Sequence, residues 1–167
     1  DFLFGGTHDL LVARRHFVDG AKNASQLFCT GDMSPELHAA YTELCRGTVA
    51  DIFGNNSYVK FVSVYTNWKR DAGASFEHLH RQILGMDRYG GPIRNMLQAV
   101  QREPDIFTDI VTALAKDEGL VIAENEHAIA YADAGHPFTT AAIYCKEAGR
   151  LSELSAAAMR GMSDLAH

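Results

Sequence analysis

The sequence predicts an α+β domain built on an antiparallel sheet with packed helices, and the order of its segments carries that prediction. A single strand-like run is followed by a long amphipathic pattern, and two strand-like runs then succeed each other across a turn-rich loop. Helices, strands and a last helix complete the chain. At 167 residues this is about one domain's worth of polypeptide, enough to bury roughly two thirds of the surface exposed on unfolding.

The first strand is expected over Asp9 to Ala13, between Gly5-Gly6 and Arg14-Arg15. Ser34 then reads as an N-cap with Pro35 at the first helical position, Glu36 in the first turn and Gly54 as the stop. Leu37, Tyr41, Leu44, Val49 and Ile52 fall near helical spacing, so this long helix should pack on the sheet. A central strand is expected from Tyr58 to Thr66, rich in β-branched and aromatic residues.

A loop from Asn67 to Ser75 should join that strand to an antiparallel neighbour, "SFEHLHRQIL". Two helices broken at Pro104 follow and end near Gly119. "LVIAENEHAIAYA" and "FTTAAIYCK" read as strands, and a helix from about Ser152 carries Leu154, Met162 and Leu165. The strand, polar turn and helix of "HDLLVARRHF" and its sequel find a faint echo in "TTAAIYCKEAGRL" and its own.

Cys29, Cys45 and Cys145 are scattered with no CxxC spacing, as expected for reduced thiols of a cytoplasmic protein. No run of about 18 apolar residues suggests a transmembrane helix, and the start lacks a signal-peptide pattern, so a soluble protein without a membrane partner is expected. The net charge of −6 argues against a broad nucleic-acid surface while leaving room for a small phosphate ligand in a local pocket. The chain opens on Asp1 rather than Met, with strand-like material almost at once, so it reads as an excerpt of something longer.

If "SFEHLHRQIL" is extended, Phe76, His78, His80 and Gln82 share one face, with Glu77, Leu79, Arg81 and Ile83 on the other. Polar side chains on a strand face need partners or water. One reading is a solvent-exposed face. A second is a metal site, since two imidazoles on one face can chelate zinc or iron. A cupin-like site would want a glutamate just downstream, where only Asp87 stands.

"VYTNWKRDAGASFEHLHRQI" resembles the active-site segment of galactose-1-phosphate uridylyltransferases and their relatives in the histidine triad (HIT-like) superfamily. There an Asn, a small-residue loop, a Ser and an HPHxQ strand recur in this order, and Asn67, Gly73, Ser75, His78, His80 and Gln82 match those positions. Upstream, His16 matches the histidine of a PxH element whose proline is replaced by Arg14. The resemblance implies a HIT-like sheet with one full repeat plus part of a second: residues 1–90 as the domain with the HxHxQ strand, residues 91–167 as a helical connection and the beginning of the second repeat.

The implied chemistry is nucleotidyl transfer through a covalent histidine intermediate, with a small-molecule nucleotide substrate. In that pattern His80 is the nucleophile, His78 holds it through its backbone carbonyl, and Gln82 and Ser75 donate to phosphate oxygens while Asn67 and Gly73 help bind the nucleotide. Gln82 has no titratable proton, which favours transfer to a phosphate acceptor over hydrolysis. The resemblance also implies a structural zinc with His16 and His78 among its ligands, the remaining ligands lying outside this chain, and a homodimer.

Departures from the pattern are Leu79 for the proline of HPHxQ, Arg81 for the small residue before the glutamine, and Gly149 where the second repeat often has a histidine. They keep two rival readings open: a non-catalytic nucleotide- or metal-binding member, and a hydrolase of the same superfamily. Trp68 stacks on a base or packs in the core rim. His8, His38, His127, His136 and His167 are read as non-catalytic.

Overall fold

A computed structural model describes residues 6–135 and 138–167; Gly5 and His136, both used above, lie outside the described residues. The chain divides into two compact units, Asp1–Arg88 and Tyr89–His167.

The first unit is a three-stranded antiparallel sheet backed by one long helix. Its strands are β1 (His8–Val12), β2 (Phe61–Tyr65) and β3 (His80–Met86), in the order β1-β3-β2, and its helix is α1 (Pro35–Asn55). The register sets Val12 opposite His80 and both Leu10 and Tyr65 opposite Gln82. Directly opposed residues share a face, so His80 and Gln82 lie with Val12, Leu10 and Tyr65 on one side. Arg81 and Ile83 point to the other side, toward α1.

Ser34 caps α1 as the sequence predicts, its hydroxyl accepting the Leu37 N–H at 3.2 Å. Two expectations about this helix change. It runs one residue past Gly54, because its packed stripe continues to Ile52 and holds the last turn. That stripe is His38, Tyr41, Cys45, Val49 and Ile52, whereas Leu37 and Leu44 are about half exposed. A histidine and a cysteine take core positions that a count of aliphatic residues assigns to the leucines. The helix approaches β3 at Gly85, where an added Cβ would stand 3.1 Å from Ile52 and 3.2 Å from Val59.

The active-site-like segment is only partly a strand. The ladder starts at His80, since β1 ends at Val12 and β2 at Tyr65. Residues 75–78 are bent rather than extended. Alternation therefore holds for His80 and Gln82 but not for Phe76 and His78, which reach the site from outside the sheet. The bend lets two successive residues, Leu79 and His80, both be buried. Leu79 joins Ala13, Phe28, Met33 and Tyr41 in the core, and its carbonyl accepts the Ala13 N–H at 2.8 Å.

The second unit holds α2 (Gly91–Arg102), a π-helical turn (Ile106–Val111), α3 (Thr112–Asp117), β4 (Val121–Glu124), β5 (Ala128–Ala132), β6 (Ala141–Cys145) and α4 (Ala156–Ala166). Its strands pair antiparallel in the order β4-β5-β6. The segment read as one strand from Leu120 to Ala132 is a hairpin. Asn125 turns it, its side-chain oxygen accepting the N–H groups of His127 and Ala128, both at 2.9 Å, while its amide donates to the Gly161 carbonyl of α4 at 2.8 Å. The last helix begins at Ala156 rather than near Ser152, so Leu154 precedes it and packs with Ala158 and Met159.

The echo between the two halves has a structural counterpart. Before α1, Asp32 accepts the Cys29 N–H at 2.8 Å across a short 3-10 turn, Met33 is buried, and Ser34 caps the helix. Before α4, Glu153 accepts the Arg150 N–H at 3.0 Å across a short 3-10 turn, Leu154 is buried, and Ser155 caps the helix through the Ala158 N–H. The same device starts both helices.

Candidate active site

The first residue of β3 carries the most constrained side chain of the region. His80 is 2% exposed, and its Nδ1 lies 2.7 Å from the carbonyl oxygen of His78. A carbonyl only accepts, so Nδ1 carries a proton, and in the neutral ring the lone pair is then at Nε2. An imidazole in that tautomer is a nucleophile or a hydrogen-bond acceptor at Nε2.

His78 is fixed in its turn. Its Nε2 lies 2.7 Å from the Ala13 carbonyl, just beyond the end of β1. The bend at 75–78 and the end of β1 are thus tied together twice just before His80: Ala13 N–H to Leu79 carbonyl, and His78 ring to Ala13 carbonyl. Phe76 lies over the His80 ring with centroids 4.1 Å apart and planes at 22°.

Gln82 sits two residues along the same face and is half-buried. Tyr65, directly across β2, donates its hydroxyl to Gln82 Oε1 at 3.1 Å. That bond orients the amide, leaving its NH2 group to donate elsewhere. Arg81, by contrast, points away from this face. Its guanidinium lies 4.5 Å over the Tyr41 ring and reaches Thr42 and Cys45 of α1, each at 3.4 Å.

The loop before the bend supplies Asn67, Gly73 and Ser75. Gly73 ends a 3-10 turn (Arg70–Ala72) with φ of 83°, a left-handed conformation open to glycine. A Cβ there would stand 3.8 Å from Asn67 Nδ2, so these two residues are neighbours. Lys69, at φ 63° and ψ 172°, occupies a region of backbone space almost confined to glycine. Ser75 is exposed and, with Phe76, Glu77, Arg70, His16 and Phe17, lines a groove of about 520 Å³.

His16 stacks on Phe17 at 4.3 Å between centroids and lies 4.6 Å from the His78 ring. Two imidazoles this close can face a common ion through nitrogens not already bonded, which for His78 leaves Nδ1. A closed zinc site needs four donors. Among the described residues no group of three or more His, Cys, Asp or Glu side chains is arranged to hold a metal, so His16 and His78 make up at most half of such a site.

Sequence reasoning missed Tyr65 and the Ala13 carbonyl. Tyr65 falls at the end of the strand that feeds the loop, a position that hints at a role, but its pairing with Gln82 depends on register. Trp68 packs against the Ala13, Phe28 and Leu79 cluster as a partly buried side chain. No helix of the described residues is long and apolar enough to cross a membrane.

Several solved structures are similar in fold to this chain. An ADP-glucose phosphorylase from Arabidopsis thaliana with bound ADP-glucose matches at 17% identity and a TM-score of 0.69, over 96% of this chain and 49% of that one. A uridylyltransferase matches at 15% and 0.76, over 96% and 50%, and a GalT-like protein from Arabidopsis thaliana at 18% and 0.71, over 96% and 51%. The chain spans about half the length of the solved structures it matches. The likeness establishes that this chain has the α+β fold found in about half the length of those structures. No curated protein matches the sequence. A family model described as "Domain of unknown function (DUF4921)" matches residues 1–167.

Proposed function

The chain belongs to the DUF4921 family, and we propose that it takes part in nucleotidyl transfer through a covalent nucleotidyl-histidine formed on His80. The observation that carries this reading is the 2.7 Å bond from His80 Nδ1–H to the His78 carbonyl, which leaves the Nε2 lone pair available for attack on phosphorus. The names of the similar structures support it. They point to a nucleotide sugar as donor; a dinucleoside polyphosphate is the other donor class the site chemistry admits.

Each residue has a stated part. Nε2 of His80 attacks the α-phosphorus, the N–P bond forms, and the P–O bond to the leaving phosphate breaks with its electron pair on oxygen. Gln82, oriented by Tyr65, donates its amide N–H to a non-bridging oxygen of the phosphorus as charge gathers there. Ser75 and the amides of the glycine loop offer further donors, and Asn67 and Gly73 line the nucleotide's path. A phosphate oxygen of the acceptor then attacks the same phosphorus, the new P–O bond forms, and the N–P bond breaks with its electron pair returning to Nε2, restoring neutral His80. Gln82 cannot protonate a leaving group, which suits a phosphate that departs unaided.

A structural zinc would be held by His16 and His78 together with ligands outside this chain. When bound it would pin the bend that carries the His78 carbonyl, and so the position of His80.

The test is intact-protein mass after incubation of the full-length protein with UDP-sugars, other nucleotide sugars and diadenosine polyphosphates, quenched at alkaline pH because phosphoramidates are acid-labile. A gain of one nucleotidyl group, lost on adding a phosphate acceptor and absent from His80→Gly, is expected. An adduct of unchanged yield in His80→Gly would sink the assignment of the nucleophile. The burial of His80 favours one rival, a member that binds nucleotide without turnover, and tight binding with no adduct from any donor would establish that rival instead.

A further inference from the structure

We propose that Phe76 is a positioning residue for His80, holding the imaizole plane of the nucleophile and keeping water from it; the part of this that concerns the covalent adduct rests on the nucleotidyl-transfer reading above. The geometry is specific. The two rings lie 4.1 Å apart at 22°, an offset face-to-face contact rather than an edge contact. His80 is 2% exposed while Phe76 is 41% exposed, so Phe76 has one face on the imidazole and part of its surface in water.

A hydrogen bond and a stack constrain different motions. The bond from Nδ1–H to the His78 carbonyl fixes the ring's rotation within its own plane. It leaves the ring free to tilt about that bond. Phe76, covering one face, removes the tilt, and the two contacts together aim Nε2 in one direction.

The stack has a second consequence once Nε2 is nucleotidylated. The N–P bond uses the Nε2 lone pair, the leaving phosphate takes the electrons of the broken P–O bond, and the proton stays on Nδ1. The ring then carries a positive charge, which an aromatic face stabilises. That charge is also what makes the phosphorus reactive toward water, so a residue that covers the ring both stabilises the intermediate and shields it. Phe76 also lines the groove of about 520 Å³, whereas His80 does not, so the phenyl ring stands between the imidazole and that space.

The experiment compares the full-length protein with Phe76→Leu, which keeps an apolar side chain without a ring, and Phe76→Tyr, which restores the ring. Histidine NMR reads the position of His80 without any donor. In Phe76→Leu the His80 ring protons should move downfield as the ring current is lost, and its Nδ1–H should exchange faster with water. In Phe76→Tyr both should return to the wild-type values. The isolated adduct should hydrolyse about two- to tenfold faster in Phe76→Leu than in wild type, the range an aromatic pair commands, and at the wild-type rate in Phe76→Tyr.

Unchanged His80 resonances in Phe76→Leu would overturn the proposal, as would a Tyr variant that behaves like Leu, because both would mean that only apolar bulk matters. If wild-type protein forms no adduct with any donor, the nucleotidyl-transfer reading falls while the ring shifts and Nδ1–H exchange still decide whether Phe76 positions and screens His80.

Discussion

Tyr65 of β2 and Gln82 of β3 face each other across the sheet, the phenol donating to the amide oxygen at 3.1 Å. The bond decides which end of the amide points toward its donor and which is left to give hydrogen bonds. Tyr65→Phe should therefore cost about 0.5–1.5 kcal/mol of stability, the usual worth of one such bond. The rate of nucleotidyl transfer should fall more than stability predicts, because the amide can then flip. Parallel denaturant melts and adduct-formation rates check this; equal rates in the two proteins would remove Gln82 from the phosphate.

Tyr41 gives a pH dependence. Burial is the largest influence on its phenol and pushes its pKa up to about 12, against the opposing pull of the Arg81 guanidinium. An unfolded tyrosine ionises near ~10, so the folded state holds this proton more tightly. The stability contributed by the neutral phenol is complete below about pH 10 and is lost as pH rises toward about 12. Chemical denaturation across that window should show stability falling in wild type and falling less steeply in Tyr41→Phe. The same variant gives up the bond from the hydroxyl to the Leu11 carbonyl at 2.7 Å, at about 1 kcal/mol at neutral pH.

Lys69 holds a backbone conformation that costs a side-chain-bearing residue about 1–3 kcal/mol. Lys69→Gly should relieve most of that, partly offset by the greater entropy of a glycine in the unfolded chain. A rise in melting temperature together with weaker nucleotide binding would mark the lysine as a residue kept for its charge. A fall in melting temperature would mean that the conformation is not strained.

Ser155 caps α4 and also bonds Glu147, donating its hydroxyl to Oε2 at 2.5 Å and its N–H to Oε1 at 2.6 Å. Those bonds, the side-chain one first, hold the Glu147 carboxyl below its ordinary range. Ser155→Ala should destabilise the second unit by about 1 kcal/mol, and the Glu147 titration, followed by carboxyl NMR, should move back up. Ser34→Ala should cost α1 a similar amount with no effect on Glu147.

Most of the element order could be read from the sequence because capping and β-branched runs act locally: Ser34, Pro35 and the "FVSVY" strand need no tertiary knowledge. The errors arise where packing between elements decides. Leu37 and Leu44 have the right spacing for a core face, but the face actually used is one step round, through His38 and Cys45. His78 looks like a strand residue by alternation, yet the ladder stops at His80, where β1 runs out, β2 having already ended opposite Gln82. The histidines and Gln82 stand out as a pattern, whereas their partners Tyr65 and Ala13 come from register and chain crossing, which no local pattern encodes.

β3 lies between two strands, and His80 is its first residue. Amides in the middle of such a strand open only when the whole unit opens, while a loop held by one short 3-10 turn opens at much lower cost. The strand that carries the imidazole and the loop at 67–75 therefore belong to different layers of the protein's exchange behaviour. On the proposed reading, substitutions in the loop would alter what is bound without retuning the ring that reacts with it, so a single frame could serve changing ligands over evolutionary time while its chemistry stays fixed.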